Sequence, residues 1–286
     1  MTYRDLRYLR LRVDDLDAAT DLAAGIFALM PGDRDDSRAM FRSDARNYAL
    51  CCSVSEDPAV ALSVARPEDL DRLESRLAAL GHASARLSPE DCAMREVRQA
   101  MSVVAPNGVT VELVLRPLTS GWPYHGPRDA GIRDFAAVSL ACTDIPANEH
   151  FWTEGLGLRT SDYAGEAVFL ALDEAHHRIA LYPSAHDGIL GAAWEVATKD
   201  HIMRNWYHLQ KLQQPVLAGP GRQPTSGAAF VTTRGPAGVL FTYMHGMEKG
   251  SEVTARAPRQ FADAALSHCA WGSPTHQPEF LGRTEK

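Results

Sequence analysis

The chain has 286 residues, 45% apolar and 23% charged, the balance of an ordinary soluble globule of about one or two domains. A net charge of −7 argues against nucleic acid and anionic membrane as partners, since both bind clustered basic groups. No apolar run approaches the roughly 20 residues that span a bilayer, and no signal-like apolar core follows Met1-Thr2-Tyr3-Arg4-Asp5, so a cytoplasmic location is expected.

The first predicted strand covers Leu6 to Val13, and Asp14-Asp15 supply capping oxygens for the turn behind it. A helix is expected from Leu16 to Met30, with Leu22, Ile26, Phe27 and Met30 on one stripe and Pro31-Gly32 as its stop. Val60 to Val64 reads as a strand. Pro67 to Leu80 reads as a helix that turns Leu70, Leu73, Leu77 and Leu80 inward. A Pro-x-Gly turn, Pro106-Asn107-Gly108, then feeds the strand Val109 to Leu113, which contains Glu112.

The same order returns in the second half. Phe135 to Cys142 is a strand, Thr143-Asp144 the cap, and a helix runs past Pro146, Phe151 and Trp152 to Gly155. Ala192 to Val196 precedes a helix from His201 to Gln213 that carries Ile202, Trp206, Leu209 and Leu212. Pro236-Ala237-Gly238 again leads into a strand, with Thr242 where the first copy has Glu112. The offset is about 130 residues at both ends of the unit, which indicates a duplicated module rather than a solenoid repeat. Each half reads as βαβββ twice over. The expected division is a module over 1–118, a linker over 119–133, a second module over 134–250 and a tail over 251–286. In the tail, Trp271 and Phe280 are expected to pack on this or a neighbouring subunit.

Five cysteines, Cys51, Cys52, Cys92, Cys142 and Cys269, show no CxxC pair and no zinc spacing, and reduced, mostly buried thiols are expected.

The Pro-x-Gly strand ending in Glu, the helix closing on Leu156-Gly157-Leu158, and the pair His176-His177 together resemble the vicinal oxygen chelate superfamily. That group includes glyoxalases, bleomycin-resistance proteins and type I extradiol ring-cleaving dioxygenases. The resemblance covers about residues 6–250. It implies an α+β fold of two tandem modules, each of paired βαβββ units forming curved mixed sheets. In metal-dependent relatives two His and one Glu point into a cup and hold iron with open positions for substrate. The matching positions here are Ala137, Gly191 and Thr242; the first half offers Tyr8, Ala59 and Glu112. Neither set is a triad, so no metal is expected. Fe(II) or Mn(II) on relocated ligands, drawn from His177, His186 or His245, is the alternative.

What survives is the histidine pair, similar to the dioxygenases' acid/base segment. Strand alternation sets His177, Ile179 and Leu181 on one face and His176, Arg178 and Ala180 on the other, with Arg178 outward. His177 is therefore the candidate general acid or base. The substrate-binding candidates are Ala137, Ser139, Gly191, Ala193, Thr242, Tyr243 and His176, and Ala141, Leu240 and Met244 share the predicted cup face. The largest cavity is expected there. Tyr163 and Tyr182 are left open, and His150, His201 and His208 are expected on helix surfaces.

Together these features point to a homo-oligomer that binds a small aromatic, phenolic or polyketide-like molecule. The expected chemistry is metal-independent: isomerisation, C–C cleavage or cofactor-free oxygenation. A protein that sequesters an aromatic toxin and a dioxygenase with relocated ligands are the alternatives.

Overall fold

The computed structural model describes residues 2–282. The first module runs β1 (Tyr3–Arg12), α1 (Leu16–Thr20), β2 (Met30–Arg34), β3 (Arg38–Arg42), β4 (Leu50–Ser53), β5 (Ala59–Val64), α2 (Pro67–Ala79), β6 (Ser84–Arg86), α3 (Pro89–Met94), β7 (Gln99–Val104) and β8 (Thr110–Leu115). The second runs β9 (Ile132–Cys142), α4 (Ile145–His150), β10 (Arg159–Ala164), β11 (Ala167–Ala171), β12 (Ile179–Pro183), β13 (Gly188–Val196), α5 (Lys199–Lys211), β14 (Val216–Arg222), β15 (Ala229–Arg234) and β16 (Leu240–His245). Beyond it lie α6 (Ser251–Ala255) and β17 (Arg259–Phe261). Both α1 and α4 continue as π-helical turns, over Asp21–Ile26 and Phe151–Gly155.

The sheets follow one plan. The first is eight-stranded, in the order β2-β3-β4-β1-β5-β8-β7-β6. The second is nine-stranded, β14-β15-β16-β13-β9-β12-β11-β10-β17, the ninth strand coming from the tail. In each, two βαβββ units meet at a central antiparallel pair, β1 with β5 and β9 with β13. This is the expected α+β architecture of mixed sheets.

The predicted caps form: Asp15 accepts from the amides of Asp17 and Ala18, and Asp144 accepts from that of Ala147. The first helix is shorter than its apolar stripe suggested. It ends at Ile26, Ala28 takes a left-handed conformation (φ 70°), and Met30 opens β2 instead of closing the helix. Pro31 is tolerated there because β2 is an edge strand, where a missing amide goes unnoticed. Leu80, expected inward, and Leu212, placed on the second helix, lie just past the ends of α2 and α5 and are partly exposed.

One apolar core joins the helix-facing sides of both sheets, including Leu9, Phe27 and Leu62 from the first and Phe135, Trp194 and Phe241 from the second. Phe27 is its link. Its ring stacks on Tyr243 with centroids 3.9 Å apart, and the Tyr243 hydroxyl donates to the Phe27 carbonyl at 2.7 Å.

The concave face of the first sheet is closed by ions. Glu112 accepts hydrogen bonds from the Tyr8 hydroxyl, from both terminal nitrogens of Arg10 at 3.1 Å and from Arg95 at 2.9 Å. Glu56 pairs with the same two arginines at 2.9 and 3.1 Å. Burial alone would raise the Glu112 pKa, but Arg10, Arg95 and the Tyr8 hydrogen bond hold it below the usual carboxylate value. Removing the carboxylate leaves two buried guanidiniums under-compensated. Glu112→Ala should therefore lose about 3–5 kcal/mol of stability in chemical denaturation, and an unchanged midpoint would show the network to be dispensable.

Candidate functional site

The register of three neighbouring strands defines the floor of the second cup. Ala137 on β9 pairs with Ala193 on β13, and Ala193 lies beside Thr242 on β16. The first sheet repeats this with Tyr8, Ala61 and Glu112. The middle position is therefore Ala193 rather than Gly191, and Ala61 rather than Ala59. Counting back from Glu195-Val196 slipped because β13 carries register shifts within that stretch, one of them between Ala193 and Trp194. Gly191 itself pairs with Ser139 and Leu240, and a Cβ there would sit 2.9 Å from the Leu240 carbonyl oxygen. It is a close-packing position and does not line the cavity.

These side chains do not fit the metal of the dioxygenases. Ala137 and Ala193 offer no donor, and the Thr242 hydroxyl is paired with that of Thr232 at 2.9 Å. Among the described residues, no three His, Cys, Asp or Glu side chains cluster as a metal site would require. His186 is exposed and bonded to Ser184, and His245 Nδ1 lies 2.8 Å from the Val196 carbonyl.

A cavity of about 380 Å³ occupies the cup. Ala137, Ser139, Ala193, Thr242 and Met244 line it from the sheet, with Tyr182, Phe230 and His177 on its walls. Part of the tail, from Ala265 to Leu281, covers it. Ala141 and Leu240 fall in the adjoining apolar cluster with Phe169 and Tyr182. Tyr243 is on the opposite face, in the shared core, and His176 is fully buried behind His177. Tyr163 points to Glu149, so Tyr182 is the tyrosine on the wall. A wider groove of about 610 Å³ lies nearby, lined by Glu166, His186 and Glu279, so the cup is not the largest hollow. The cup combines an enclosing apolar wall with a few converging polar groups, the usual make-up of a small-molecule site.

His177 reaches the cavity by a different route from the predicted one. It precedes β12, where strand alternation does not yet apply. Within β12, Ile179 and Leu181 face the helix-packed core, while Ala180 and Tyr182 face the cup. Arg178 is not outward in solvent: it donates to Asp173 at 2.8 Å, Asp134 at 3.1 Å and the Ala136 carbonyl at 2.9 Å. The His176 amide is bonded to the Glu248 carbonyl at 2.9 Å. Clamped on both sides, the loop presents the His177 ring against Phe169, centroids 5.1 Å apart. Burial, then the nearby His176 and Arg178, push the His177 pKa well below the ordinary value, so the ring is neutral at pH 7.

Sequence reasoning missed the groups behind and above it. His177 Nδ1 lies 3.0 Å from His176 Nδ1, and His176 Nε2 lies 2.8 Å from Asp162 Oδ2. Asp162, on β10, is fully buried and held by Arg256 at 2.7 Å and Arg259 at 2.6 Å. Burial opposes its ionisation, but the hydrogen bonds from Arg259, Arg256 and His176 hold its pKa far below the carboxylate range. Nothing local in the sequence marks a lone Asp on a strand as the anchor of a tail. His268 lines the cavity with Nδ1 buried and unpartnered among the described residues. Gly221 admits the tail beside it, since a Cβ there would lie 2.6 Å from Cys269 Sγ. All five cysteines are free and buried, as expected.

Residues 134–243 match the Glyoxalase/Bleomycin resistance protein/Dioxygenase superfamily. The match covers most of the second module. An iron-dependent extradiol dioxygenase of Rhodococcus jostii (strain RHA1) is 24% identical over 228 residues, 71% of this chain and 75% of its own length. Among solved structures, the fold is shared with BphC, a halotolerant catechol dioxygenase (TM-score 0.87, 18% identity, 98% of this chain and 97% of that one). It is also shared with the Mn(II)-bound glyoxalase from Novosphingobium aromaticivorans (TM-score 0.85, 20% identity, 99% and 95%). The vicinal oxygen chelate fold thus spans nearly the whole chain.

His268 carries a stability prediction. Burial lowers its pKa from 6.5 to about 4 in the folded state, so the unfolded chain binds the extra proton. Stability should fall as pH drops through that window, with His268 contributing on the order of 2–3 kcal/mol. His268→Gln should lose less melting temperature between pH 7 and pH 5 than the parent protein. Equal losses would exclude His268 as a source.

Proposed function

We propose that this extradiol-dioxygenase-like chain binds a small aromatic or enolisable compound in the cup of the second module. The chemistry is proton transfer without a metal, with His177 as general base and acid. The observation that carries this reading is the pairing of a neutral imidazole on the cavity wall with Ala137, Ala193 and Thr242 on its floor. The histidine pair resembles the dioxygenases' acid/base segment, while among the described residues no group of His, Cys, Asp or Glu could hold a metal. Small floor residues open the volume that a metal and its ligands would fill, and Phe230 and Tyr182 offer aromatic surfaces for a flat ring.

The step that these residues support is balanced within one substrate. His177 removes a proton from a phenol or from carbon next to a carbonyl, and the pair of electrons moves into the conjugated system. The imidazolium then returns the proton to another carbon, which gives an isomer. Gln223 and His268, also on the wall, supply hydrogen bonds that would orient the oxygen bearing the charge. The substrates of catechol dioxygenases, which share the fold, are of the size and flatness that this cavity admits.

A panel of catechols, hydroquinones and aryl ketones tests the reading. Where turnover is found, His177→Ala should lower it by roughly 100- to 10,000-fold. Binding of 4-nitrocatechol should weaken far less, since one hydrogen bond contributes about 0.5–1.5 kcal/mol net. Because the pKa of His177 is pushed down, kcat/KM should stay level from neutral pH to below 6.5 and decline only in acid. Parallel loss of binding and turnover would instead favour a sequestering protein, in which His177 only holds the ligand.

The metal-free part of the reading has its own check. Protein purified without oxygen and supplied with Fe(II) or Mn(II) should retain well under one equivalent. Stoichiometric, chelator-sensitive iron together with catechol cleavage would overturn it.

A further inference from the structure

We propose that Asp162 and His176 are positioning residues that fix the tautomer of His177 and present its basic Nε2 to the cavity. The inference rests on the reading of His177 as the base. Its geometry is independent of that reading.

The hydrogen-bond chain leaves one consistent assignment. An ionised carboxylate only accepts, so His176 Nε2, 2.8 Å from Asp162, must be the donor. Asp162 already receives Arg256 at 2.7 and 3.0 Å and Arg259 at 2.6 Å. Asp162 and Glu248 already balance the two guanidiniums, and the His176 ring is fully buried, so desolvation opposes a third cation there. Neutral His176 then has its lone pair on Nδ1, the atom 3.0 Å from His177 Nδ1. That contact needs one hydrogen between two nitrogens, and only His177 can supply it. His177 is therefore protonated at Nδ1, and Nε2 carries the free lone pair.

This arrangement also handles the charge of the reaction. When His177 Nε2 takes a proton, the imidazolium keeps its Nδ1–H on His176, whose own N–H remains on the Asp162 carboxylate. The positive charge is stabilised along a line of oriented dipoles, and no second proton has to move. The same logic gives an orienting acid its role behind a catalytic histidine in hydrolases, although here a second imidazole stands between them.

The tail is part of the device. Residue Arg259 on β17 pairs in register with Asp162 on β10, and its amide also donates to the carboxylate at 2.8 Å. Arg256, just past α6, bonds Asp162 through both terminal nitrogens. Both guanidiniums also lie near Glu248, at 3.8 and 3.5 Å, whose carbonyl holds the His176 amide. The strand that extends the second sheet thus also orients the base.

Nitrogen NMR on the full-length, uniformly 15N-labelled protein near neutral pH reads the assignment directly. The expected wild-type pattern is His177 protonated at Nδ1 and His176 at Nε2. In His176→Phe, which keeps a ring but has neither donor nor acceptor and leaves Asp162 on its arginines, His177 should shift toward the Nε2–H form. Turnover of whichever panel compound is processed should fall roughly 100-fold or more, with 4-nitrocatechol affinity nearly unchanged. Asp162→Asn should move the tautomer in the same direction, and its lower stability is expected because it strands two arginines; His176→Phe carries the test if that variant fails to fold. Wild-type protein with His177 protonated at Nε2, or a folded His176→Phe protein with unaltered His177 signals and turnover, would overturn the proposal. Failure of the underlying reading looks different: His177→Ala then processes the compound as the wild type does, while the nitrogen pattern remains that of the relay.

Discussion

The antiparallel pairing of β9 with β13 and the parallel pairing of β13 with β16 set most of what distinguishes this protein. Side chains alternate across a sheet, so once that register is fixed, half of each strand belongs to the shared core and half to the cup. Val138, Ala192 and Phe241 enter the core, while Ala137, Ala193 and Thr242 enter the cup. A slip of one residue would exchange the two sets. The core would then lose its aromatic packing between Phe27, Trp194 and Tyr243, and the cavity would fill with those rings. Phe27 comes from the other module, so the site also depends on how the two modules dock.

The two cups show what one scaffold does with the same three positions. In the first, Tyr8 and Glu112 are long enough to meet and, with Arg10 and Arg95, fill the concavity with a closed ionic network. In the second, two alanines and a threonine leave it open. A packed interior does not leave such volume unused without consequence, because lining atoms lose dispersion contacts on the empty side. The open cup leaves room for the ligand proposed above, whereas the first cup is filled by its own side chains. On the cup floor the asymmetry lies in side chains, since the two sheets agree in strand order and pairing apart from the ninth strand that the tail adds.

Much of the architecture was legible because it rests on local signals repeated at one offset. The caps at Asp15 and Asp144, the Pro-x-Gly turns and the leucine stripe of α2 are encoded within a few residues each. What failed were statements that depend on pairing partners. Gly191 was chosen by counting along β13, and a bulge invisible in one strand moved the position to Ala193. Met30 has the spacing of a helix but pairs with Arg42 on β3. His177 was placed on the cup wall by an alternation that does not hold, since Ile179 and Leu181 face the other way. The loop and its clamps at Arg178 and Glu248 put it there instead. Asp162 lies nearly a hundred residues from Arg256 and Arg259 in sequence, and a contact of that range leaves no periodic trace.

The buried cluster around Asp162 bears on why the tail is built into the second sheet. A carboxylate taken fully out of water is tolerated only when ionic partners and hydrogen bonds replace its solvation. Asp162 has those partners in Arg256, Arg259 and His176, and the first two arrive only with the tail. Without them, burial would drive the carboxyl to take up a proton, and a protonated acid could donate to His176 Nε2 instead of accepting from it. His176 would then hold its hydrogen on Nδ1 and donate to His177, whose Nε2 would carry hydrogen into the cavity as a weak acid. Docking of β17 against β10 is thus linked to the chemical character of a ring on the far side of His176. The same segment continues over the mouth of the cup through His268 and Phe280. Enclosure of the cavity and basicity of its histidine consequently depend on one structural event.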